Sequence, residues 1–476
     1  MLFRFRWVFC QLDALQHCFP PNLRQYLNEL PETLDETYER ILKGINKAQK
    51  EDAHRLLQCL AVAVRPLRVE ELAELLAFEF QASSSGGIPK LREDWRWDNQ
   101  EEAVLSTCSS LITIIPGDDS RIVQFSHFSV KEYLTSSRLA RSPHGEVSRF
   151  RIDLELAHTV MAQACLATLL RLDEQGSKSD VKMSPLINYA AQHWVDHAQF
   201  EKVSSRIREG MDDLFDGSKP HFTAWLEVYD IDEIWAYFSP DPRESGSPLY
   251  YAAFCGFYDL AEHLITKHPE QVNARGGGIL APLPAALYKK HFRVANLLYS
   301  HGAVVDFRDE EKRTPLYVAS HMGQVDIMRW LLDHGADPNS RKHLGITPLI
   351  GAAYAVYDDA VQVLLDHNAD INSQCDDGNT PLYWAATGYY DSNPADIMRR
   401  LLEHGADPNI CNNKHSTPLH NASSNGLLEA ARLLLSYGAK LDEMDTNGMT
   451  PFQLAASRGH NEITKLLLEH GAVPQQ

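Results

Sequence analysis

The sequence predicts a mainly α-helical chain, with a helical N-terminal half followed by a solenoid of repeated helix pairs. Three observations lead to this prediction: a tripeptide that recurs at a nearly fixed interval, a Gly-Ala pair that keeps the same interval, and apolar residues at helical spacing before the repeats. The chain has 476 residues, too many for one ordinary core, and its 44% hydrophobic content is enough to fill several. We therefore expect at least two folded units.

The recurring tripeptide is Thr-Pro-Leu, or Thr-Pro-Phe in its last copy. Its copies begin at residues 314, 347, 380, 417 and 450, so the intervals are 33, 33, 37 and 33 residues. Thr caps the N-terminus of a helix, and Pro fits the first helical position because it lacks the N–H that would stay unbonded there. The Gly-Ala pair, Asn-Ala in one copy, predicts where the second helix of each unit ends, since glycine readily adopts the left-handed conformation.

These units resemble ankyrin repeats, and the resemblance implies a solenoid that binds a protein partner on its concave face. Two weaker copies, Ser247-Pro248-Leu249 and Ala281-Pro282-Leu283, come first, and Gly276–Gly278 between them predicts a flexible tip. Only His420 keeps the histidine that usually follows the tripeptide in this family, so we expect somewhat less stable repeats. The predicted repeats cover residues 244–476, as 244–277, 278–310, 311–343, 344–376, 377–413, 414–446 and 447–476.

The resemblance places the hairpin tips and the exposed end of each first helix on the concave face. Aromatic side chains there, such as Tyr354, would supply binding energy at a low cost in conformational entropy. The predicted partner-binding residues are Glu310, Glu311, Arg313, His321, Met322, His343, Ile346, Tyr354, Tyr357, Asp376, Asp377, Asn379, Thr387, Tyr389, Tyr390, Asn413, Lys414, Ser424, Asn425, Met449 and Arg458. For Tyr357, Tyr389 and Tyr390 the alternative is that they only pack their own loops.

The N-terminal half predicts a winged-helix domain over residues 30–140. Apolar residues recur at helical spacing from Asp35 to Ala63 and from Val69 to Phe80. Two β-prone runs, 111–115 and 122–125, flank a Gly-Asp-Asp turn and predict a hairpin, which a helix around 130–134 follows. Residues 141–243 are predicted to be a helical connector.

Four strings in this half resemble fungal NACHT-type signalling proteins of the NLR-like (STAND) class. They are FRWVFCQLD (5–13), LPETLDETYERIL (30–42), FSHFSVKEYL (125–134) and NYAAQHW (188–194). The resemblance implies that residues 1–29 are the helical end of a NACHT domain and that the repeats act as ligand sensor or scaffold. No GxxxxGK[ST] motif occurs, so no residue supports nucleotide binding. Two alternatives stay open: a natural fragment without the NTPase, and a nucleotide-switched NTPase whose P-loop lies upstream of this sequence.

A winged-helix DNA-binding regulator is the rival interpretation, and the charges disfavour it. The formal net charge is −19, and residues 34–140 hold 13 Lys and Arg against 17 Asp and Glu. The candidate recognition helices, Val69 to Phe80 and Val104 to Ile112, contain no Lys or Arg that could contact phosphates. We expect no nucleic-acid partner.

Catalytic and metal-site patterns are missing as well. The eight cysteines form no CxxC pair, and neither GxSxG nor HExxH occurs. We interpret His301, His334, His404 and His470 as framework residues and His127 as a packed or capping residue. We expect no enzyme activity, no catalytic residues, no cofactor and no metal. No apolar run reaches the roughly 20 residues that span a bilayer, so we expect a cytoplasmic protein, with the nucleus as the alternative.

Overall fold

The computed structural model describes residues 33–80, 87–108, 110–117, 120–140, 145–172, 184–232, 245–387 and 394–473. It is mainly helical, as the sequence predicts. The chain divides into two compact units, one of residues 1–243 with 255–267 and the other of residues 244–254 with 268–476. The predicted NACHT remnant, 1–29, lies outside the described residues.

The first unit begins with a winged-helix arrangement. Its elements are α1 (Leu34–Gly44), α2 (Lys50–Val62), β1 (Leu67–Arg68), α3 (Val69–Leu76), β2 (Phe78–Glu79), β3 (Lys90–Leu91), α4 (Gln100–Cys108), β4 (Ile112–Pro116), β5 (Arg121–Phe125) and α5 (Phe128–Thr135). Strands β4 and β5 pair antiparallel, which confirms the predicted hairpin. The sequence did not reveal β1, which pairs with β5, and the helix predicted to reach Phe80 ends at Leu76.

Two buried ion pairs stabilise the winged helix. The Glu71 carboxylate accepts hydrogen bonds from both terminal nitrogens of Arg65, at 2.6 and 2.8 Å, and also from the backbone N–H of Arg68. The Glu74 carboxylate accepts two hydrogen bonds from Arg96, one from Nε at 2.9 Å and one from a terminal nitrogen at 2.5 Å. Both carboxylates are almost fully buried, so loss of either arginine would leave a desolvated charge without its partner.

The histidine that follows β5 caps α5. The His127 Nδ1 accepts the backbone N–H of Ser129 and lies 2.6 Å from the Ser129 hydroxyl, which in turn lies 2.8 Å from the Tyr38 hydroxyl. The capping interpretation of His127 is confirmed. This chain of contacts explains the FSHFSVKEYL string, because the string fixes α5 against α1.

The connector is helical, as predicted. It consists of α6 (Ser137–Ala140), α7 (Gly145–Ser148), α8 (Leu154–Leu169), α9 (Ile187–Ala198), α10 (Val203–Arg206), α11 (Arg208–Leu214) and α12 (His221–Val228). Helix α8 packs against α2 and α9. A buried polar network joins these helices: the His197 Nε2 lies 2.9 Å from the Tyr189 hydroxyl, and its Nδ1 lies 2.9 Å from the His158 Nδ1. The Tyr189 hydroxyl also accepts the backbone N–H of Val64, which ties the connector to the end of α2.

Helix pairs follow at the repeat interval. They are α13 (Pro248–Cys255) with α14 (Tyr258–Lys267), α15 (Pro282–Tyr288) with α16 (Phe292–Ser300), α17 (Pro315–His321) with α18 (Val325–Asp333), α19 (Pro348–Tyr354) with α20 (Asp358–Asp366), α21 (Pro381–Ala385) with α22 (Ala395–Glu403), α23 (Pro418–Asn425) with α24 (Leu428–Ser436), and α25 (Pro451–Ser457) with α26 (Asn461–Glu469). By packing, α14 groups with the first unit. The repeat boundaries given above stay a prediction.

The predicted start and stop signals act as expected. Thr314 accepts the N–H of Tyr317 at 3.2 Å, and the same bond recurs in the next four copies. Gly335 has a φ of 87°, and Ala336 donates to the Leu331 carbonyl, the 6→1 bond of a Schellman motif. The flexibility predicted for Gly276–Gly278 stays a prediction. Gly277 packs so closely on the ring of Tyr250 that a Cβ would lie 2.4 Å from it, so this glycine serves close packing.

Candidate protein-binding surface

Five short hairpins project between the helix pairs, at residues 309–313, 342–346, 375–379, 412–416 and 445–449. In each, the first residue donates its N–H to the carbonyl of the fifth, at 3.0 to 3.2 Å, and the fourth donates to the carbonyl of the first, at 2.8 to 3.0 Å. The second and third residues of each hairpin are exposed. The sequence pattern therefore produces five equivalent tips.

Neighbouring tips are joined by backbone hydrogen bonds into a continuous row, here called the tip ladder. His343 donates to the Glu311 carbonyl, Asp376 to that of Leu344, Asn413 to that of Asp377 and Thr446 to that of Lys414, at 2.9 to 3.0 Å. Each repeat thus fixes the position of the next tip through its main chain, whatever the side chains are. The tip ladder is a preorganised edge, which lowers the entropic cost of binding a partner.

The fourth residue of each tip adopts positive φ. Glycine fills the position at 345, 378 and 448, whereas Lys312 (φ 56°) and His415 (φ 54°) do so in the other two tips. A side chain in this region costs roughly 1 kcal/mol relative to glycine. The first and fourth tips are therefore strained.

Side chains between repeats add a second row of hydrogen bonds. Asn339 accepts the N–H of Asp370 at 2.7 Å, Asn372 that of Asp407 at 3.0 Å, and Asn409 that of Lys440 at 2.8 Å. Asn273 accepts that of Val304 at 2.8 Å. The histidines before the helix-ending residues bond the carbonyl four residues earlier, as His334 does to Trp330 at 2.6 Å, which confirms that they are framework residues.

The first helices α17, α19, α21, α23 and α25 pack side by side, and with the tip ladder they form the candidate face. Four aromatic rings cross its first three helices and are called the aromatic strip: Tyr317, His321, Tyr354 and Trp384. Successive ring centroids are 6.0, 6.4 and 5.3 Å apart. Gly351 makes room for the strip, because a Cβ there would lie 3.0 Å from the Tyr317 ring.

Two cations, Lys342 and Arg313, lie near Tyr317, the first ring of the aromatic strip. The Lys342 ammonium lies 5.0 Å from the centroid of the Tyr317 ring. Burial raises the pKa of the Tyr317 hydroxyl, and the nearby Arg313 guanidinium opposes part of that rise. Arg313 itself is paired with Asp309 at 2.5 Å. Within the described ranges, no carboxylate lies within ion-pair distance of Lys342.

The structure brings most of the predicted partner-binding residues onto the candidate face. Those on the tips are Glu310, Glu311, Arg313, His343, Ile346, Asp376, Asp377, Asn413, Lys414 and Met449, and those at the ends of first helices are His321, Met322, Tyr354, Thr387, Ser424, Asn425 and Arg458. All of these are exposed or half-buried. Asn425 and Arg458 also bridge to the preceding repeat, through the carbonyls of Ala386 and Ser424.

Asn379 does not fit the prediction. Its side chain is only 8% exposed and accepts a hydrogen bond of 2.8 Å from Asn412, so it stabilises the tip from inside. Tyr357 lies in the loop before α20, against Gly323 of the preceding repeat, which favours the packing interpretation. Tyr389 and Tyr390 lie outside the described residues.

Three residues of the face were not predicted as partner-binding residues: Tyr317, Lys342 and Trp384. Tyr317 stands where the family usually has histidine, and this departure was a signal that could have been followed. In its own repeat, Trp384 follows Tyr383, the equivalent of Tyr317, and lies one helical turn before Thr387. Lys342 gave no signal, because its place over Tyr317 depends on contact between two repeats.

A family model described as ankyrin repeats matches three segments, residues 249–342, 339–410 and 389–476. The repeats are ankyrin repeats. The family model for the winged helix domain of GPI inositol-deacylase matches residues 38–146, which span the winged-helix elements α2 to α5. Ankyrin repeats form protein-interaction modules, so protein partners are implied.

Two proteins are similar to parts of the chain. The azaphilone pigments biosynthesis cluster protein L of Monascus ruber is 31% identical over 299 residues, which is 59% of this chain and 61% of that protein. Alpha-latrocrustotoxin-Lt1a of Latrodectus tredecimguttatus is 34% identical over 77 residues, 16% of this chain and 5% of the toxin. The chain therefore spans about three fifths of the first relative and a small part of the second.

The two helices that would contact DNA in the rival interpretation are acidic. Helix α4, which lies between the β2–β3 pair and the β4–β5 hairpin, starts at Gln100 and carries Glu101 and Glu102 in its first turn. Neither α3 nor α4 contains Lys or Arg. Over the described part of the chain, no group of three or more His, Cys, Asp or Glu could hold a metal ion, and no helix is long and apolar enough to cross a membrane.

Proposed function

We propose that this chain is a non-catalytic interaction module, in which the candidate face of the ankyrin repeats captures a protein ligand. The tip ladder is the observation that carries the proposal, since five tips held in register by main-chain bonds form an extended edge. The aromatic strip beside it supplies rigid rings of the kind that dominate binding energy in interfaces.

We also propose that the ligand event is part of NLR-like signalling, with the repeats as sensor and the winged helix and connector as relay. Two findings support this: a winged-helix match at residues 38–146, which the connector separates from the repeats, and similarity to a fungal protein over 59% of the chain. The nucleotide-switched alternative requires a P-loop upstream. Sequencing of the full transcript for a P-loop exon tests that alternative directly.

Site-specific photo-crosslinking in cells tests the binding proposal. A photo-reactive residue replaces Met322 on the candidate face, and the matched control replaces Arg329, an exposed residue of α18 in the same repeat. We expect a discrete crosslinked protein from position 322 and none of that mass from position 329. Equal crosslinking from both positions would contradict the proposed face.

DNA binding is the second candidate, and the acidic start of α4 argues against it. Titration of the full chain with fluorescent duplex DNA at low salt should give no change in anisotropy. An increase in anisotropy that disappears as the salt concentration is raised would show phosphate contacts and would support DNA binding.

A further inference from the structure

We propose that the ligand of the candidate face is a protein segment that carries a carboxylate close to a large apolar side chain. The inference rests on the proposed function and adds the chemistry of the partner. The carboxylate would pair with Lys342, and the apolar side chain would lie on the aromatic strip.

Lys342 is the first part of the argument. Its ammonium lies 5.0 Å from the centroid of the Tyr317 ring. The neighbouring cations are already paired, Arg313 with Asp309 at 2.5 Å and Arg341 with Asp376 at 3.2 Å. Among the described residues, Lys342 alone of these three cations has no carboxylate within 4 Å. A carboxylate on the partner would give Lys342 an ion pair as well.

The aromatic strip is the second part. It starts at the ring below Lys342 and runs onto the first helices of the next two repeats, in steps of 6.0 and 6.4 Å between the first three rings. His321, Tyr354 and Trp384 are half-buried, and Met322 beside them is 41% exposed. An apolar side chain laid on these rings would be removed from water, which stabilises the complex by about 25 cal/mol per Å² of apolar surface buried.

The spacing of the rings sets the spacing in the ligand. Side chains on one face of an extended segment recur about every 6.6 Å, and those on one face of a helix are roughly 5–6 Å apart three or four positions along the chain. Both distances match the ring steps of 6.0 and 6.4 Å. The carboxylate and the apolar residue should therefore be two to four positions apart in the ligand.

The part of the candidate face on α23 differs from the aromatic strip, because its polar side chains are bonded to neighbouring groups. Asn421 donates to the Tyr383 carbonyl at 3.0 Å, and Asn425 donates both to Asn421 and to the Ala386 carbonyl. These amides are used to join repeats, so the anchoring part of the face lies on α17, α19 and α21.

Selection of a phage-displayed random dodecapeptide library on the immobilised full chain tests the inference. We expect the enriched peptides to contain Asp or Glu two to four positions from Leu, Met, Phe, Tyr or Trp. Binding of one such synthetic peptide is then measured by fluorescence anisotropy. Lys342→Glu should weaken it about tenfold, because the charge at the end of the strip is reversed.

The matched control is Arg329→Glu, which makes the same reversal of charge at an exposed residue of α18, in the same repeat but away from the candidate face. It should leave the affinity within about twofold. A second selection on the Lys342→Glu chain should enrich Lys or Arg in place of the acidic residue. Tyr354→Ala, checked for folding by circular dichroism, should weaken the binding of both the acidic and the basic peptides.

The outcomes separate the two proposals. Apolar peptides without an acidic bias, bound equally by Lys342→Glu, would overturn the inference and leave the proposed function intact. Peptides whose binding is unaffected by both Lys342→Glu and Tyr354→Ala, or a library without enrichment, would count against the candidate face itself. Tighter binding of a fluorescent single-stranded RNA 12-mer, lost in Lys342→Glu, would assign the cation and rings to a nucleic acid instead.

Discussion

The substitution Asp306→Asn should stabilise the repeats at neutral pH. Asp306 occupies the position of Asn273, Asn339 and Asn409 in the row of side-chain bonds between repeats. Its Oδ2 accepts the N–H of Asp337 at 3.1 Å, but its Oδ1 is buried and has no hydrogen-bond partner in the described structure. At Asn273 and Asn409 the amide nitrogen donates instead to the carbonyl of the glycine that ends the following second helix, at 2.9 and 3.2 Å.

The size of the expected stabilisation follows from Asp306 Oδ1, the oxygen without a hydrogen-bond partner among the described residues. Satisfying a buried polar atom is worth about 1–3 kcal/mol, and partial exposure of Asp306 places the expected gain near the lower end, about 1 kcal/mol. Burial raises the pKa of the Asp306 carboxyl, while the N–H of Asp337 opposes the rise. The folded state therefore binds a proton more tightly than the unfolded state. The stability that this proton provides is present below the ordinary value of about 3.9 and is lost as the pH rises through the folded value. The advantage of asparagine should accordingly be small at about pH 4 and full at about pH 7.

Native-state hydrogen exchange of the full chain, measured by mass spectrometry, resolves the repeats separately. Peptides that cover α16 and α18 should exchange about fivefold more slowly in Asp306→Asn at neutral pH. The reciprocal variant Asn409→Asp should speed exchange around α24 by a similar factor. Equal protection of wild type and Asp306→Asn at neutral pH, or a gain that does not depend on pH, would refute the reasoning.

Three further predictions concern strain, packing and acid sensitivity. Lys312→Gly and His415→Gly should each raise the free energy of unfolding by about 0.5–1 kcal/mol, measured by urea denaturation, because glycine relieves the positive φ. Gly378→Ala should lower it, since a Cβ would lie 2.8 Å from a backbone nitrogen of the next tip; an unchanged urea midpoint would show that the tips give way easily. His197 is fully buried, and burial lowers its pKa to about 3, so its contribution to stability is present above about 6.5 and is lost on acidification. Between about pH 7 and pH 5, tryptophan fluorescence in urea should show a smaller loss of stability for His197→Gln than for wild type, and equal losses would place the acid-sensitive group elsewhere.

The repeats could be predicted closely because their signals are local. Thr314 caps its own helix three residues ahead, and Gly335 ends the helix that precedes it, so both act within one turn of chain. The winged helix was predicted less fully. Strand β1 has two residues and exists only through its pairing with β5, about 55 positions later, which no local pattern can show.

The candidate face was predicted in outline and missed in its details for the same reason. The turn itself exposes the second and third residues of a tip, so the exposure of Asp376 and Asp377 could be predicted, and their part in binding stays a prediction. Asn379 was misplaced because its burial depends on Asn412 in the next tip. The relation of Lys342 to the Tyr317 ring likewise needs the exact offset between two repeats, which the 33-residue interval implies only roughly.

The four extra residues of the fifth repeat lie between the first and second helices, in the part of the chain from Thr387 to Pro394. The tip bond from Asn413 to the Asp377 carbonyl, which spans this insertion in sequence, is still 2.9 Å long. One edge of the solenoid therefore keeps a fixed pitch while the loops between paired helices are free to change in length. Such a molecule can acquire new loop sequences by insertion without losing the register of the edge on which its ligand would depend.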